Sequence, residues 1–273
     1  MKELNGRELA GFVKERQAHL VRSLRGRKIF PKLVIIRDSD NPVITKYVEL
    51  KKRYGEDIGV VVEDVLVDSS NGASAVIEAV RAANEDKSVS GIIVQLPLKD
   101  STQTDEVVNL ISPEKDVDGL SQVVEPADRK FESATAMAIN WLLTGYNIDL
   151  SGKKIALVGR GRLVGAPLER MWKAAGHDVT VFRHDSDLSL LPNFDVIVTA
   201  TGVPHLIKNE MVKSGAVIVD AGTASEDGVL VGDVDDTVRE RTDLSAITPK
   251  IGGVGPLTVS VLFEDVIAAA QQS

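Results

Sequence analysis

Four groups of residues in this 273-residue chain have types and spacing that could do chemistry. In Ile155-Ala156-Leu157-Val158-Gly159-Arg160-Gly161-Arg162-Leu163-Val164-Gly165 an apolar run breaks into glycines and resumes at helical spacing, which predicts strand, tight turn and helix. That geometry leaves backbone N–H groups and the positive end of a helix dipole at the turn, a site for the pyrophosphate of a dinucleotide. Gly159, Gly161 and Gly165 are spaced G-x-G-x-x-x-G, one residue longer than the common fingerprint, so glycines that serve only packing are the competing reading. Tyr47 and Lys51 stand four residues apart, and on a helix the phenol and the amine project from one face. Lys46, Lys52 and Arg53 give the same helix a charged face, where a lysine is ordinarily just solvated; beside a buried amine, those cations would help keep it neutral. Gln95 closes an apolar run, at the strand end where open α/β sheets place their ligands, or it merely satisfies that end. Pro113-Glu114-Lys115-Asp116-Val117-Asp118-Gly119 is a turn with two aspartates, and Asp118 could serve only to cap it.

The elements that must position these groups follow from periodicity. Helices are predicted over 8–24, 43–57, 73–84, 104–111 with Thr104 as N-cap, and 133–143, and strands over 32–36, 60–67 and 91–98. Residues 121–132 read as irregular. Beyond Lys154 the runs 155–158, 179–182, 195–200 and 216–220 alternate with helical connectors, which predicts a parallel, doubly wound sheet. A glycine- and acid-rich loop over 222–235, a glycine turn over 247–256 and a helix over 257–270 complete the chain. The expected class is α/β with two domains: 1–140 joined by a returning C-terminal helix, 257–273, and a Rossmann domain over 141–256. Composition narrows the chemistry. With no cysteine, disulfides, thiolate metal sites and thiol catalysis are excluded, and the four histidines have no ligand spacing, so no metal is expected. A net charge of −8 with both signs interspersed argues against nucleic acid as a partner. The N-terminus has no apolar leader and no run reads as membrane length, so the expectation is a cytoplasmic protein without a membrane.

Taken together and in order, Tyr47-x-x-x-Lys51, Val94-Gln95-Leu96-Pro97-Leu98, Pro113 to Gly119 and Gly252-Gly253-Val254-Gly255-Pro256-Leu257-Thr258 resemble the bifunctional methylenetetrahydrofolate dehydrogenase/methenyltetrahydrofolate cyclohydrolase family. The P-E-K-D-V-D-G and G-G-V-G-P stretches carry the specificity; Y-x-x-x-K alone would carry none. The resemblance implies two α/β domains, a homodimer, and a cleft holding a tetrahydrofolate derivative against nicotinamide. It implies oxidation of 5,10-methylene- to 5,10-methenyltetrahydrofolate, then hydrolysis to 10-formyltetrahydrofolate. Lys51 would move protons, Gln95 orient its amine, Tyr47 contact the folate rings and Asp118 accept hydrogen bonds from the pterin. Leu96, Pro97, Gly253, Gly255, Pro256 and Thr258 would line the folate. Gly159, Arg160, Gly161, Val164, Gly165, Arg183, Asp185, Thr201 and Gly222 would hold the cofactor.

The chain departs from the family pattern in three places. Ser133-Ala134-Thr135-Ala136-Met137-Ala138 replaces P-C-T-P-x-G, and losing both prolines predicts a looser helix entry. Lys250 and Ile251 stand in the segment before Gly252, which adds a cation near the cleft. The family's G-R-S turn reads Gly159-Arg160-Gly161 and its H-S pair reads His184-Asp185. Arg160 and Arg183 favour the 2′-phosphate of NADP, whereas Asp185, 26 residues after Gly159, is placed to accept the ribose hydroxyl of NAD or to pair with Arg183. NADP is the expected cofactor, with NAD the alternative. An NAD-dependent dehydrogenase lacking the hydrolase, and a catalytically idle folate- or nucleotide-binding protein, are the rival functions.

Overall fold

The computed structural model describes residues 1–70, 72–125, 128–226 and 229–272. Along the chain the elements are β1 (Lys2–Glu3), α1 (Gly6–Gly26), β2 (Lys32–Arg37), α2 (Pro42–Ile58), β3 (Val61–Leu66), α3 (Ser74–Glu85), β4 (Gly91–Val94), α4 (Thr104–Val108) and α5 (Ala134–Gly145). They continue with β5 (Lys154–Val158), α6 (Gly165–Ala174), β6 (Asp178–Phe182), β7 (Val196–Thr199), β8 (Val217–Asp220), β9 (Ala224–Glu226), β10 (Val229–Val231), α7 (Asp236–Arg239), β11 (Ala246–Ile247) and α8 (Val254–Gln272). The chain divides into two compact units, one of Phe12–Ala134 with Val259–Ser273 and one of Met1–Gly11 with Thr135–Thr258.

The unit that carries Lys51 is built on a parallel sheet of order β3-β2-β4. Its central strand is apolar on both faces: Leu33, Ile35 and Ile36 are fully buried, as expected of a parallel strand covered by helices on each side. On one face Val34, Ile36, Ile92 and Val94 pack with Val76 and Val80 of α3 and Val107 and Val108 of α4. On the other lie α2 and α8, where Tyr54 stacks on Phe263 with ring centroids 5.0 Å apart. The Tyr54 hydroxyl donates to Gln17 Oε1 at 2.8 Å, and Gln17 Nε2 donates to the Ser260 carbonyl at 2.8 Å, so the polar atoms among these helices are paired. Helix α2 is specified at both ends. The Asn41 side chain accepts from the Val43 N–H, Pro42 starts the first turn, and Gly59 leaves it at φ 85°. Gly55 is required where α2 crosses β3, since a Cβ there would lie 2.5 Å from Val62.

The second unit is a six-stranded parallel sheet of order β1-β11-β8-β7-β5-β6, with β5 pairing residue for residue with β6 and β7. Its core joins Ala156, Val158, Ile197 and Ile218 to Ile207, Val234 and Val238.

Several expectations are corrected. Residues 1–11 lie with the nucleotide-type unit and not the first, because β1 pairs in parallel with β11, Lys2 opposite Ala246. The chain leaves the first unit at Ala134, so residues 135–140 also belong to the second. Thr104 is not an N-cap. Asp100 caps the preceding turn by accepting from the Thr102 N–H at 3.0 Å, and Thr104 Oγ1 donates back to the Ser101 carbonyl. The strand expected over 91–98 ends at Val94, before the cis peptide bond between Leu96 and Pro97. The final helix begins at Val254, so Gly255, Pro256 and Thr258 are helical. That helix is also long and apolar enough to cross a membrane, contrary to the sequence reading, yet Val261, Leu262, Phe263, Val266 and Ile267 are buried within the protein. Helix α5 begins at Ala134, and Ser133, Ala134, Ala136 and Ala138 at its entry are fully buried.

Candidate active site

Three elements of the first unit bring Lys51, Gln95 and Asp118 together. Lys51 lies one turn after Tyr47 on α2 and donates from Nζ to Gln95 Oε1 at 2.8 Å. Gln95 is fixed twice. Its backbone N–H extends the sheet ladder to the Ile36 carbonyl at 2.8 Å, and its side-chain Nε2 donates to the Leu96 carbonyl at 3.0 Å. With the amide nitrogen so engaged, the oxygen is the atom turned to the amine.

The turn from Ser112 to Gly119 sets the carboxylates apart by role. Lys115 Nζ donates to the carbonyls of Ala83, Asn84 and Asp86, tying the turn to the end of α3. Asp116 is buried and accepts the N–H groups of Leu120 at 3.3 Å and Ser121 at 2.9 Å. Gly119, at φ 62°, presses on the backbone of Glu132 and Ser133, where a Cβ would lie 2.6 Å from the Glu132 carbonyl carbon. The capping role therefore falls to Asp116. Among the described residues, no donor of the turn is spent on Asp118.

Electrostatics follow from burial. Desolvation holds the Lys51 amine below its usual value, against the pull of Asp118 toward the charged form. The Asp118 carboxyl is pushed up to about 6, by burial first, with Lys51 drawing it down and Asp116 pushing it up. Burial also raises the Tyr47 phenol, which stays protonated at neutral pH. The expectation that neighbouring cations depress Lys51 is corrected. Lys46 and Arg53 are exposed, Lys52 is paired with Glu49 at 3.0 Å, and the cause is the loss of water around the amine.

In the second unit the predicted nucleotide residues lie at the carboxyl ends of β5, β6, β7 and β8. A Cβ on Gly159, at φ 98°, would lie 2.7 Å from the Ala200 carbonyl oxygen, and one on Gly165 would lie 2.0 Å from the Gly159 carbonyl oxygen. These two glycines let strand, turn and helix close on one another. Gly161 is different: nothing stands within 4 Å of the position its Cβ would take, which leaves the backbone there open to a ligand. Val164 precedes α6 without a side-chain cap, but in the first turn the Ala166 N–H is spent on the Gly161 carbonyl at 3.1 Å and Pro167 has none, so few backbone donors remain there for an anion. Arg160 Nε lies 2.6 Å from Glu169, which also accepts from Lys173, so its charge is compensated. Arg183 and Asp185 are both exposed, and among the described residues no ion pair joins them. Lys250, the cation expected near a cleft, pairs with Asp236 at 2.7 Å. Gly252, at φ 93°, receives the Arg7 N–H at 3.0 Å, and Gly255 has open space at its Cβ position. Thr258 Oγ1 donates back to the Val254 carbonyl at 3.3 Å.

Sequence reasoning missed the carboxylates beneath Thr201 and Gly222. Asp233 Oδ2 accepts from the Thr201 N–H and from Thr199 Oγ1, each at 2.6 Å. Asp220 accepts from the N–H groups of Gly222, Asp233 and Val234 and pairs with Arg239. Neither a carboxylate that closes a strand, as Asp220 closes β8, nor one in an acid-rich loop, as Asp233 is, can be told in sequence from a solvated acid.

A family model described as tetrahydrofolate dehydrogenase/cyclohydrolase, catalytic domain, matches residues 4–118, and one for the NAD(P)-binding domain of the same enzymes matches residues 133–273. The chain belongs to this family. It is 37% identical to the bifunctional protein FolD of Lactobacillus helveticus, over 97% of this chain and 96% of that one. The solved structure of the Campylobacter jejuni bifunctional FolD superposes with a TM-score of 0.92 at 33% identity, covering 100% and 99% of the two chains. A Trypanosoma brucei FolD, solved with NADP cofactor and an inhibitor, superposes with a TM-score of 0.90 at 29% identity, covering 98% and 96%.

The glycine geometry predicts unequal costs in this FolD-family chain. Gly165→Ala should destabilise the protein by roughly 1–3 kcal/mol through overpacking, whereas Gly161→Ala should leave the urea midpoint unchanged and weaken dinucleotide binding. Equal midpoints for the two variants would mean that the turn is not packed as described.

Proposed function

We propose that this protein oxidises 5,10-methylenetetrahydrofolate to the 5,10-methenyl form with NADP and hydrolyses that product to 10-formyltetrahydrofolate, with Lys51 moving the protons of the second step. The observation that carries this reading is the buried Lys51 amine held 2.8 Å from Gln95 Oε1. An amine with a lowered pKa can act as base and then as acid near neutral pH. Such a group is more than hydride transfer needs, which disfavours a dehydrogenase without the hydrolase.

Hydride leaves a carbon flanked by two nitrogens, so the first step asks the chain chiefly to orient the rings. A bound nicotinamide dinucleotide supplies the hydride acceptor. The open backbone at Gly161 fits its pyrophosphate, with Gly159, Arg160, Val164, Gly165, Thr201 and Gly222 completing the holding set. In the second step a water oxygen bonds to the methenyl carbon while neutral Lys51 takes the water's proton. The carbon–N5 bond then breaks as the new hydroxyl becomes the formyl carbonyl; the Lys51 ammonium returns a proton to N5, and the hydroxyl proton is released to solvent. Gln95 keeps the amine aimed throughout. Asp118 as carboxylate accepts from the pterin, and Tyr47 lies against the rings. Two charges therefore bound the working range: hydrolysis falls as pH drops through about 6, where Asp118 takes up a proton, and as Lys51 becomes charged.

Lys51→Met should lower methenyl hydrolysis by ~10²-fold or more while dinucleotide affinity stays within error. Hydrolysis at the wild-type rate would remove Lys51 from the mechanism. Cofactor choice is tested separately. The exposed Arg183 supports NADP and the exposed Asp185 opposes it, so Asp185→Ser should raise the NADP/NAD ratio of kcat/KM. An unchanged ratio would show that Asp185 does not face the ribose.

A further inference from the structure

The segment from Gly232 to Val234 follows β10 and is held between the loops that leave β7 and β8. From the β8 side it is held by Asp220, the last residue of that strand. Its carboxylate accepts the Asp233 and Val234 N–H groups at 3.1 Å each and the Gly222 N–H at 3.0 Å, with Arg239 as counter-charge. From the β7 side the bonds are main chain: the His205 N–H donates to the Gly232 carbonyl at 3.2 Å and the Ile207 N–H to the Asp233 carbonyl at 2.9 Å. The fit is close. A Cβ on Gly232 would lie 2.1 Å from Asp220 Oδ2, and one on Gly222 would lie 2.0 Å from Asp233 Oδ1, so both carboxylates depend on glycines for their room.

Asp233, fully buried, is thereby aimed at one place. Its Oδ2 accepts from Thr199 Oγ1 and from the Thr201 N–H, each at 2.6 Å, while among the described residues its Oδ1 receives no hydrogen bond. The two donors differ in what else holds them. Thr199 ends β7 and is fixed by the sheet, since its carbonyl receives the Ala221 N–H at 2.8 Å and the next N–H, of Ala200, donates to the Val158 carbonyl at 2.9 Å. Thr201 lies past that ladder, and its N–H is given to Asp233 instead. Its own hydroxyl oxygen then accepts the Val203 N–H at 3.1 Å, which passes the placement along the loop. Thr201 also stands against the nucleotide turn: its Cγ2 would lie 3.2 Å from a Cβ on Gly159.

We propose that Asp233 is a positioning residue of the dinucleotide site: its Oδ2 fixes the Thr201 main chain against Gly159, so the loop leaving β7 is in place before the cofactor binds. This rests on the dinucleotide part of the reading given above. A loop that must be ordered on binding subtracts that ordering from the affinity, and a loop already fixed does not. The acceptor has to be a carboxylate. An amide in its place offers a neutral, weaker oxygen to the two donors, or turns its NH2 group toward the Thr201 N–H.

Two near-isosteric variants separate this role from a merely structural one, because both weaken the bonding of the same oxygen. Asp233→Asn weakens the bond to Thr201, and Thr199→Val removes only the bond to the sheet. NADP affinity is read by titration calorimetry and the exchange of the Thr201 amide by NMR without ligand, both on the full chain. Asp233→Asn should bind NADP about tenfold more weakly, and its Thr201 amide should exchange faster. Thr199→Val, even with a lowered melting temperature, should bind NADP within about twofold of wild type and keep that amide protected. Wild-type affinity or wild-type Thr201 exchange in Asp233→Asn, or equal losses of affinity in the two variants, would overturn the proposal. A wild type that binds neither NADP nor NAD would overturn the dinucleotide reading and this proposal with it, even where the ligand-free exchange shows Thr201 held by Asp233.

Discussion

An amine taken out of water must lose its proton readily or find a partner for it, and the fold arranges both for Lys51. Its hydrogen bond to Gln95 Oε1 satisfies one position, while burial lowers the cost of the neutral form. Everything in the first unit bears on that contact. The Asn41 cap and Pro42 fix where α2 begins, the Ile36 ladder bond fixes Gln95, and Lys115 ties the carboxylate turn to α3. The site is assembled from helix, strand end and turn, each held by bonds that do not involve the ligand.

The charges nearby decide how the amine behaves. A unit charge about 4 Å away is worth on the order of 1–4 kcal/mol between water and a protein surface, whereas desolvating an ion costs several. Asp118 therefore moderates the depression of Lys51 without reversing it, and its own carboxyl is raised by the same burial. Asp116 illustrates the other use of a carboxylate. Two backbone N–H groups occupy it, so one aspartate of the motif builds the turn and the other is left for chemistry.

Much of this was legible in the residues. Helical spacing put Tyr47 and Lys51 on one face, and the apolar run before Gln95 put the amide at a strand end. The glycine run marked the nucleotide turn, although spacing alone did not separate Gly159 and Gly165, which close backbone contacts require, from Gly161, which has open space. Three features escaped because they depend on tertiary partners. The pairing of β1 with β11 comes from a strand of only two residues, too short for any pattern. The depression of Lys51 comes from burial, where local sequence suggested the neighbouring cations. Asp233 and Asp220 look like ordinary acids in sequence, and only their placement, Asp233 under Thr201 and Asp220 by Gly222, gives them weight.

The most direct measurement is the titration of the Lys51 amine in the folded protein, by NMR after 13C-methylation of the lysines, with Asp118→Asn alongside. The account predicts a midpoint below the ordinary lysine value of 10.5, and a lower one still in Asp118→Asn, where the counter-charge is gone. A wild-type amine titrating at the ordinary value would contradict the claim that burial prepares Lys51 for proton transfer.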